Sequence, residues 1–222
     1  MKFAVETWDP AYGVSADESS LDDASDPVEL DVEVAAGEWA PRTPEPESGA
    51  PPIMFIDGVR RIDARVWLTS DDGVVAHPGV CATVAAGVVR SDSHGARVVE
   101  AKIERALYTA APNAGPIVTK HGTYELRPTT GDGDEPLHLA IHNHMMRLET
   151  SLSVATSGAD VVVFDGPLRG RDAASGVGYV KTQHVQYLPP PQHAVLARLE
   201  AGQRCPLFLV GGGFARWSWY LR

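Results

Sequence analysis

Two aspartates in this sequence follow short apolar segments and precede a glycine. Asp57 follows IMFI, and Asp165 follows VVVF. A carboxylate is costly to bury unless a basic partner, several hydrogen bonds or a metal ion compensates its charge. Hard divalent ions such as Mg²⁺ or Mn²⁺ bind carboxylate oxygens, so two such strand ends lying side by side predict a metal site. Glu149, on the helix predicted before the second strand, would supply a third carboxylate.

The chemistry that three such carboxylates support is phosphodiester hydrolysis. Two ions about 3.5–4 Å apart stabilise both the attacking and the departing oxygen of that reaction. Each residue also has an ordinary structural interpretation, because Asp-Gly is a common turn signal and a helical glutamate such as Glu149 usually faces solvent. The combination of the three residues, and no single one of them, carries the hypothesis.

The elements that must position these acids are predicted from periodicity. Strand-like segments rich in β-branched residues begin at Ile53, namely IMFIDGV, RIDARVWLT and VCATVAAGVVR. RVVEAKIERALYT and GTYELRPTT fit either strands or a short helix. A helical period then joins Leu137, Ile141, Met145, Leu148 and Leu152, with Gly158 as a stop signal. The strand ADVVVFDGPL, a Pro-capped helix in PPPQHAVLARLEAGQ and a final apolar run complete a mixed α/β sheet.

The acidity of the chain is concentrated at its beginning. Residues 1–50 contain 13 of the 29 acidic residues and only two bases, whereas residues 51–222 carry 16 acids and 17 bases. The overall charge of −10 therefore does not argue against a polyanionic partner for the rest of the chain. Residues 15–51 have the composition of a tether, although VELDVEV alternates well enough to form a strand.

The cysteine content and the hydropathy pattern predict a cytoplasmic protein. Cys81 and Cys205 each lie in an apolar stretch without a metal-ligand companion at short spacing, which indicates buried free thiols. No apolar run reaches the ~20 residues that a membrane helix needs, and the N-terminus lacks the pattern of a secretion signal. We therefore expect no membrane association.

Several short motifs, taken together and in order, resemble the NurA nuclease family. They are FIDGVRR, HMMRLETSLSVA leading into VVVFDGPL, GYVKTQH and RWSWYLR, and they extend over residues 53 to 222. The resemblance implies a ribonuclease-H-like core related to the Piwi domain and a manganese-dependent (or magnesium-dependent) nuclease with two ions. It also implies action on single- and double-stranded DNA ends, a homodimer, and end resection in double-strand break repair with a hexameric HerA-type ATPase.

The resemblance also implies roles for individual residues. Asp57, Glu149 and Asp165 match the metal-binding acids, and Lys181 matches a basic position that would neutralise the scissile phosphate. Lys181 fits an ordinary surface lysine equally well. The remaining matches are a further metal ligand or proton shuttle, His184, and substrate-binding residues, Arg60, Arg169, Arg216 and Tyr220. A structural role suits His184 as well, and plain sheet packing suits both Arg216 and Tyr220.

The sequence departs from the family pattern in two respects. Val59 and Pro167 stand where family members usually have serine, which removes two hydroxyl groups. Family members also continue past the Trp-Tyr strand to a catalytic histidine, so the resemblance implies a short or truncated form ending at Arg222. We therefore expect an acidic segment over residues 1–51 and a nuclease domain over residues 52–222.

The alternative function is a non-catalytic ribonuclease-H-like module that docks on a ring ATPase. In that hypothesis the acidic N-terminal segment makes the contact or mimics DNA, and a solvated tether is the simpler interpretation of the same residues. Divalent-ion binding discriminates between the two functions, because a scaffold does not need to hold metal.

Overall fold

A computed structural model describes residues 2–6, 22–23, 26–45, 51–69, 75–153, 156, 159–168, 175–181, 185–211 and 215–222. Its elements in chain order are β1 (Lys2–Glu6), β2 (Asp22–Asp23), β3 (Val28–Glu29), a 3₁₀ turn (Ala36–Glu38), β4 (Ile53–Thr69), β5 (Ala76–Asp92), β6 (Gly95–Thr109), β7 (Ile117–Thr119), β8 (Gly122–Pro128), α1 (Asp134–Ser153), β9 (Val161–Asp165), β10 (Gly176–Tyr179), β11 (Val185–Gln186), α2 (Pro190–Leu196), β12 (Phe208–Val210) and β13 (Arg216–Ser218).

The chain forms two units that differ from the predicted division. The first combines Met1–Val14 with Ala50–Val180, and the second combines Ser15–Gly49 with Lys181–Arg222. The sequence predicts one domain over residues 52–222, whereas the structure groups residues 181–222 with residues 15–49. Among the described residues, no helix is both long and apolar enough to cross a membrane.

The first unit is built on a large mixed sheet, as the sequence predicted. Its strand order is β10-β9-β4-β5-β6-β8-β7, and β1 pairs with the far end of β4. The long strand β5 runs antiparallel to both of its neighbours, β4 and β6, whereas β9 runs parallel to β4 and β10 runs parallel to β9. This mixed α/β arrangement is compatible with a ribonuclease-H-like fold.

Helix α1 covers one face of this sheet, and its predicted apolar period is confirmed. Four of the five periodic residues are at most 5% exposed, and Met145 packs beside them; the four are Leu137, Ile141, Leu148 and Leu152. They join one core cluster with Val84, Val88 and Phe164 from the sheet. Residues three and four apart share a helix face, so this spacing buries a continuous stripe. The helix ends at Ser153, and the predicted stop at Gly158 lies outside the described residues.

The predicted break in the first strand is wrong. IMFIDGV and RIDARVWLT form one 17-residue strand, β4, which passes through Asp57 and Gly58 without turning. A bulge between Ile62 and Ala64 then reverses which side chains face α1, and the later Val66 and Leu68 enter a separate cluster. The segments RVVEAKIERALYT and GTYELRPTT, which fit either strands or a short helix by sequence, form the strands β6 and β8.

The second unit shows that residues 26–45 are not a tether. Strand β12 pairs antiparallel with both β13 and β3. The Trp39 ring, 7% exposed, lies 6.1 Å from the Phe208 ring between centroids. Glu33 accepts hydrogen bonds from both terminal nitrogens of Arg204, at 2.8 and 2.9 Å. Polar composition hid this segment because its apolar partners lie near the other end of the chain.

The prediction for the two cysteines is confirmed. Cys81 and Cys205 are free and buried, one in each unit. Burial raises the pKa of the Cys81 thiol to about 12 and raises that of Cys205. Both thiols therefore stay protonated at neutral pH and pack as small apolar side chains.

Candidate active site

Asp57 and Asp165 lie next to each other in the sheet of the first unit. The parallel pairing of β4 with β9 runs from Ile53 opposite Val161 to Ile56 opposite Phe164, and the two aspartates are the next residues on each strand. Neighbouring strands are about 4.8 Å apart. Asp165 is half-buried and ends β9, and Gly166 then turns the chain with a φ of 81°. The adjacency predicted from the sequence is therefore present, although only Asp165 precedes a turn.

Glu149 meets this pair from the helix. It lies near the end of α1 and is 2% exposed. A Cβ at Gly58 would lie 2.5 Å from Oε1 of Glu149 and 2.7 Å from Cγ of Met145. The glycine after Asp57 is thus required by the close approach of α1, and not by a turn. This places the third carboxylate against the backbone of the residue that follows Asp57.

The three carboxylates nevertheless approach from two faces of the sheet. Ile56 and Gly58 face α1, so strand alternation points Asp57, which is exposed, to the other side. Asp165 likewise alternates with buried Phe164. In agreement with this, the described part of the chain contains no group of three His, Cys, Asp or Glu side chains arranged to hold a metal ion. The donor atoms fit a hard divalent ion in type, and Asp57 and Asp165 lie on the same face of neighbouring strands.

The other residues that the resemblance selected are distributed over both units. Arg60 is exposed on β4, three residues beyond Asp57, and Lys181 is exposed at the start of the second unit. Arg169 and His184 lie outside the described residues.

Arg216 and Tyr220 both belong to the second unit and make contacts within it. Arg216 forms an ion pair of 3.4 Å with Asp26. The Tyr220 ring stacks on Phe208, with centroids 5.8 Å apart and an interplanar angle of 17°. The Tyr220 ring therefore packs against the core of the second unit, and its role as a substrate-binding residue stays a prediction.

A buried polar network beside α1 was missed by the sequence analysis. The Tyr108 hydroxyl lies 2.6 Å from Nδ1 of His144, and Nε2 of His144 lies 2.8 Å from Oε2 of Glu104. Arg127 donates to the same Glu104 oxygen at 2.8 Å. His144 lies on the same face of α1 as Ile141 and Leu148. A polar residue at one of the positions that the helical period predicts to be buried was the sequence feature that could have revealed the network.

The pKa shifts of the three groups agree with one set of hydrogen-bond directions in this network. Burial lowers the pKa of His144, which is 2% exposed. Burial acts to raise the pKa of Glu104, but hydrogen bonds from His144 and Arg127 outweigh it and lower that pKa. Burial also raises the pKa of Tyr108 to about 12. The consistent assignment is a neutral His144 that accepts from the Tyr108 hydroxyl and donates to an ionised Glu104.

Comparisons with known proteins leave the family open. No family model matches the chain, and the search of curated proteins finds no match. A solved structure of the NurA nuclease from Sulfolobus solfataricus matches with a TM-score of 0.35 and 17% identity, over 60% of this chain and 30% of that chain. The likeness is remote, and it carries no argument about the site.

Proposed function

We propose that this chain is a divalent-metal-dependent nuclease that hydrolyses DNA phosphodiester bonds. The observation that carries the proposal is the register of β4 and β9, which puts Asp57 beside Asp165 where β9 ends. Neighbouring carboxylates repel each other unless a cation offsets their charge, and hard divalent ions bind carboxylate oxygens. The motif resemblance adds Mn²⁺ or Mg²⁺ as the ion, two ions as the number, and DNA ends as the substrate.

The roles of the chain's own residues follow from where they lie. Asp57 and Asp165 would hold the ion on their shared face, and Glu149 would approach from beside Gly58. Arg60 is exposed on the same strand as Asp57 but on its opposite face, so a contact between Arg60 and the phosphate belongs to the proposal through the resemblance. Bound divalent ions supply Lewis acidity for the phosphodiester and its attacking water. Lys181, His184, a HerA-type ATPase and a homodimer belong to the same proposal through the resemblance alone.

A second function is favoured by one specific observation. Strand alternation separates Glu149 from the two aspartates, and the described residues contain no three-residue metal-binding group. A non-catalytic module that docks on a ring ATPase would have this sheet without needing metal. The two functions differ in whether the chain binds a divalent ion.

The experiment measures metal binding and cleavage on the same proteins. Wild type, Asp57→Asn and Asp165→Asn are titrated with Mn²⁺ by calorimetry, and then incubated with labelled linear duplex and single-stranded DNA in Mn²⁺, Mg²⁺ or EDTA. Asp160→Asn is the matched control, because Asp160 is exposed at the other end of the strand that Asp165 terminates. Asparagine keeps the side-chain volume, so the fold should be retained.

We expect Mn²⁺ binding and metal-dependent cleavage in wild type and in Asp160→Asn. Each of the other two variants should lose Mn²⁺ affinity and about 100-fold or more in rate, the scale for removing one preorganised electrostatic group. No Mn²⁺ binding by folded wild type, or binding that all three substitutions leave unchanged, would overturn the proposal. Metal binding without cleavage would reject the nuclease activity while retaining the ion site.

A further inference from the structure

An open pocket of about 340 Å³ lies between α1 and the strands β6 and β8. Three basic side chains from three different elements line it, together with one acid; the bases are Lys102, Arg127 and Arg147. The positive charge is local, because residues 51–222 carry 17 bases and 16 acids. We propose that this pocket binds a phosphate group of a nucleic-acid strand.

The buried network described above holds one of these bases in place. Arg127 donates to Glu104, and Glu104 is fixed by His144, which is 2% exposed and itself bonded to Tyr108. The side chain of Arg127 is 41% exposed, so part of its guanidinium remains available to a ligand. A guanidinium presents donors in a planar fork that matches two phosphate oxygens.

Lys102 and Arg147 both have hydrogen-bond donors available to an anion. Lys102 Nζ donates to the Ser151 hydroxyl at 3.2 Å, which leaves two ammonium hydrogens for other acceptors. Arg147 is exposed and forms no ion pair with another described residue. The ligand is thus a compact group with several acceptor oxygens and negative charge, which describes a phosphodiester.

The pocket lies on the face of the sheet that α1 covers, which is the face of Glu149 and is opposite to the face of Asp57 and Asp165. Gly58, Ala86 and Lys102 are partners across β4, β5 and β6, so Lys102 lies about 10 Å from Gly58 on the face that α1 covers. Near the end of α1, Glu149 lies beside Gly58 of β4, and Ser151 accepts a hydrogen bond from Lys102 of β6. A nucleic-acid strand that touched both residues would cross the end of α1. The identity of the ligand rests on the proposed nuclease function.

The test measures strand binding without cleavage. Binding of a labelled single-stranded oligonucleotide is followed by fluorescence anisotropy in EDTA between about 50 and 200 mM salt, for wild type, Lys102→Gln and Arg147→Gln. Lys120→Gln is the matched control, because Lys120 is an exposed base in the turn between β7 and β8 and does not line the pocket. Thermal unfolding of each variant is recorded in parallel.

Each pocket substitution should remove about one phosphate contact. For a single strand this lowers the slope of log affinity against log salt by about 0.7, which weakens binding about fivefold at 0.1 M salt. Lys120→Gln should bind like wild type. Equal binding by all four proteins would overturn the proposal, as would a loss that merely parallels lowered thermal stability. Binding of inorganic phosphate that Lys102→Gln and Arg147→Gln weaken, in a protein that binds no oligonucleotide, would show a site for free phosphate and reject a nucleic-acid strand.

The result also separates this site from the proposed catalytic site. If Asp57→Asn and Asp165→Asn leave cleavage unaffected but the pocket variants bind weakly, the pocket stands and the metal site fails. If metal-dependent cleavage depends on both aspartates while Lys102→Gln and Arg147→Gln bind normally, only the phosphate pocket is rejected.

Discussion

Replacing Gly58 with alanine tests the contact that brings Glu149 to β4. The new Cβ would lie 2.5 Å from Oε1 of Glu149 and 2.7 Å from Cγ of Met145, well inside the ~3.5–4.0 Å separation at which carbon atoms attract. Glu149 is 2% exposed, so its carboxylate has no solvent-filled space beside it. We therefore expect α1 to move away from the strand, or Glu149 to adopt a less favourable rotamer.

The size of the effect follows from two opposing contributions. Adding a methyl group to a well-packed core typically costs about 1–3 kcal/mol. Alanine in a strand recovers about 0.5–1 kcal/mol relative to glycine. Taking the middle of each range, the net destabilisation should be about 1 kcal/mol, and each kcal/mol lowers the melting temperature by about 2–4 °C in a domain of 150–250 residues. Gly58→Ala should therefore melt about 2–4 °C below wild type.

The matched control for this prediction is Gly87→Ala. Gly87 is the β5 partner of Asp57, and a Cβ there would meet nothing nearer than the Glu100 carbonyl oxygen, at 3.7 Å. This variant should be as stable as wild type or more stable, by thermal unfolding followed with circular dichroism. Equal stability of the two alanine variants would refute the close approach of Glu149.

A double substitution identifies the clashing side chain. Glu149→Asp shortens the side chain by one methylene and withdraws the carboxylate from Gly58. Combined with Gly58→Ala, it should lose less stability than the sum of the single losses, with a coupling energy of about 0.5–3 kcal/mol. Additive losses would mean that Glu149 is not the group in contact.

Two further predictions concern the second unit. The hydrogen bond from Arg204 lowers the pKa of Glu33 to about 2 from 4.5. Ionised Glu33 therefore contributes stability above pH 4.5, and this contribution is lost as the pH falls towards 2. The pKa shift corresponds to about 3 kcal/mol, of which solvent screening of this partly exposed pair leaves about 1–2 kcal/mol. Urea unfolding at several pH values should show Glu33→Gln destabilised at pH 7 and converging with wild type below pH 4.5, and a constant difference would refute this. Trp39→Ala should cost about 3 kcal/mol or more in the same assay, whereas Trp217→Ala, at a 61% exposed position, should stay within about 0.5 kcal/mol; equal losses would mean that residues 26–45 do not belong to the folded unit.

Helix α1 and strand β9 were predictable because their patterns record burial directly. Leu137, Ile141, Leu148 and Leu152 face one core, and a continuous apolar run marks a strand covered on its inner face. Such patterns depend on which side of an element is buried, and not on which distant residue covers it. Local sequence is therefore sufficient to predict the buried side.

The course of β4 was not predictable for the opposite reason. Asp57-Gly58 and Asp165-Gly166 are the same dipeptide after similar apolar runs, yet the first continues a strand and the second turns. The surroundings differ: Gly58 stays paired with Ala86 of β5 and has Glu149 packed beside it, whereas Gly166 follows the last residue of β9. A glycine that allows a turn and a glycine that allows close packing have the same sequence signal.

The second unit was hidden by the same dependence on distant residues. Val28 and Trp39 lie among acids and prolines, and their packing partners come from residues after 185. A segment with few apolar residues forms part of a folded unit when another segment supplies most of the core. Composition within one window therefore described residues 26–45 as a tether.

The absence of a side chain at Gly58 also bears on how a metal site would form. Strand alternation places Asp57 and Asp165 on one face and leaves Glu149 on the other. A side chain at position 58 would keep the Glu149 carboxylate away from the strand, but glycine lets it reach the backbone one residue from Asp57. If the three acids share an ion, Gly58→Ala should weaken Mn²⁺ binding as well as lower stability. If Asp57 and Asp165 hold the ion alone, Gly58→Ala should lower stability and leave Mn²⁺ affinity unchanged, so calorimetry on this one variant decides whether Glu149 belongs to the metal site.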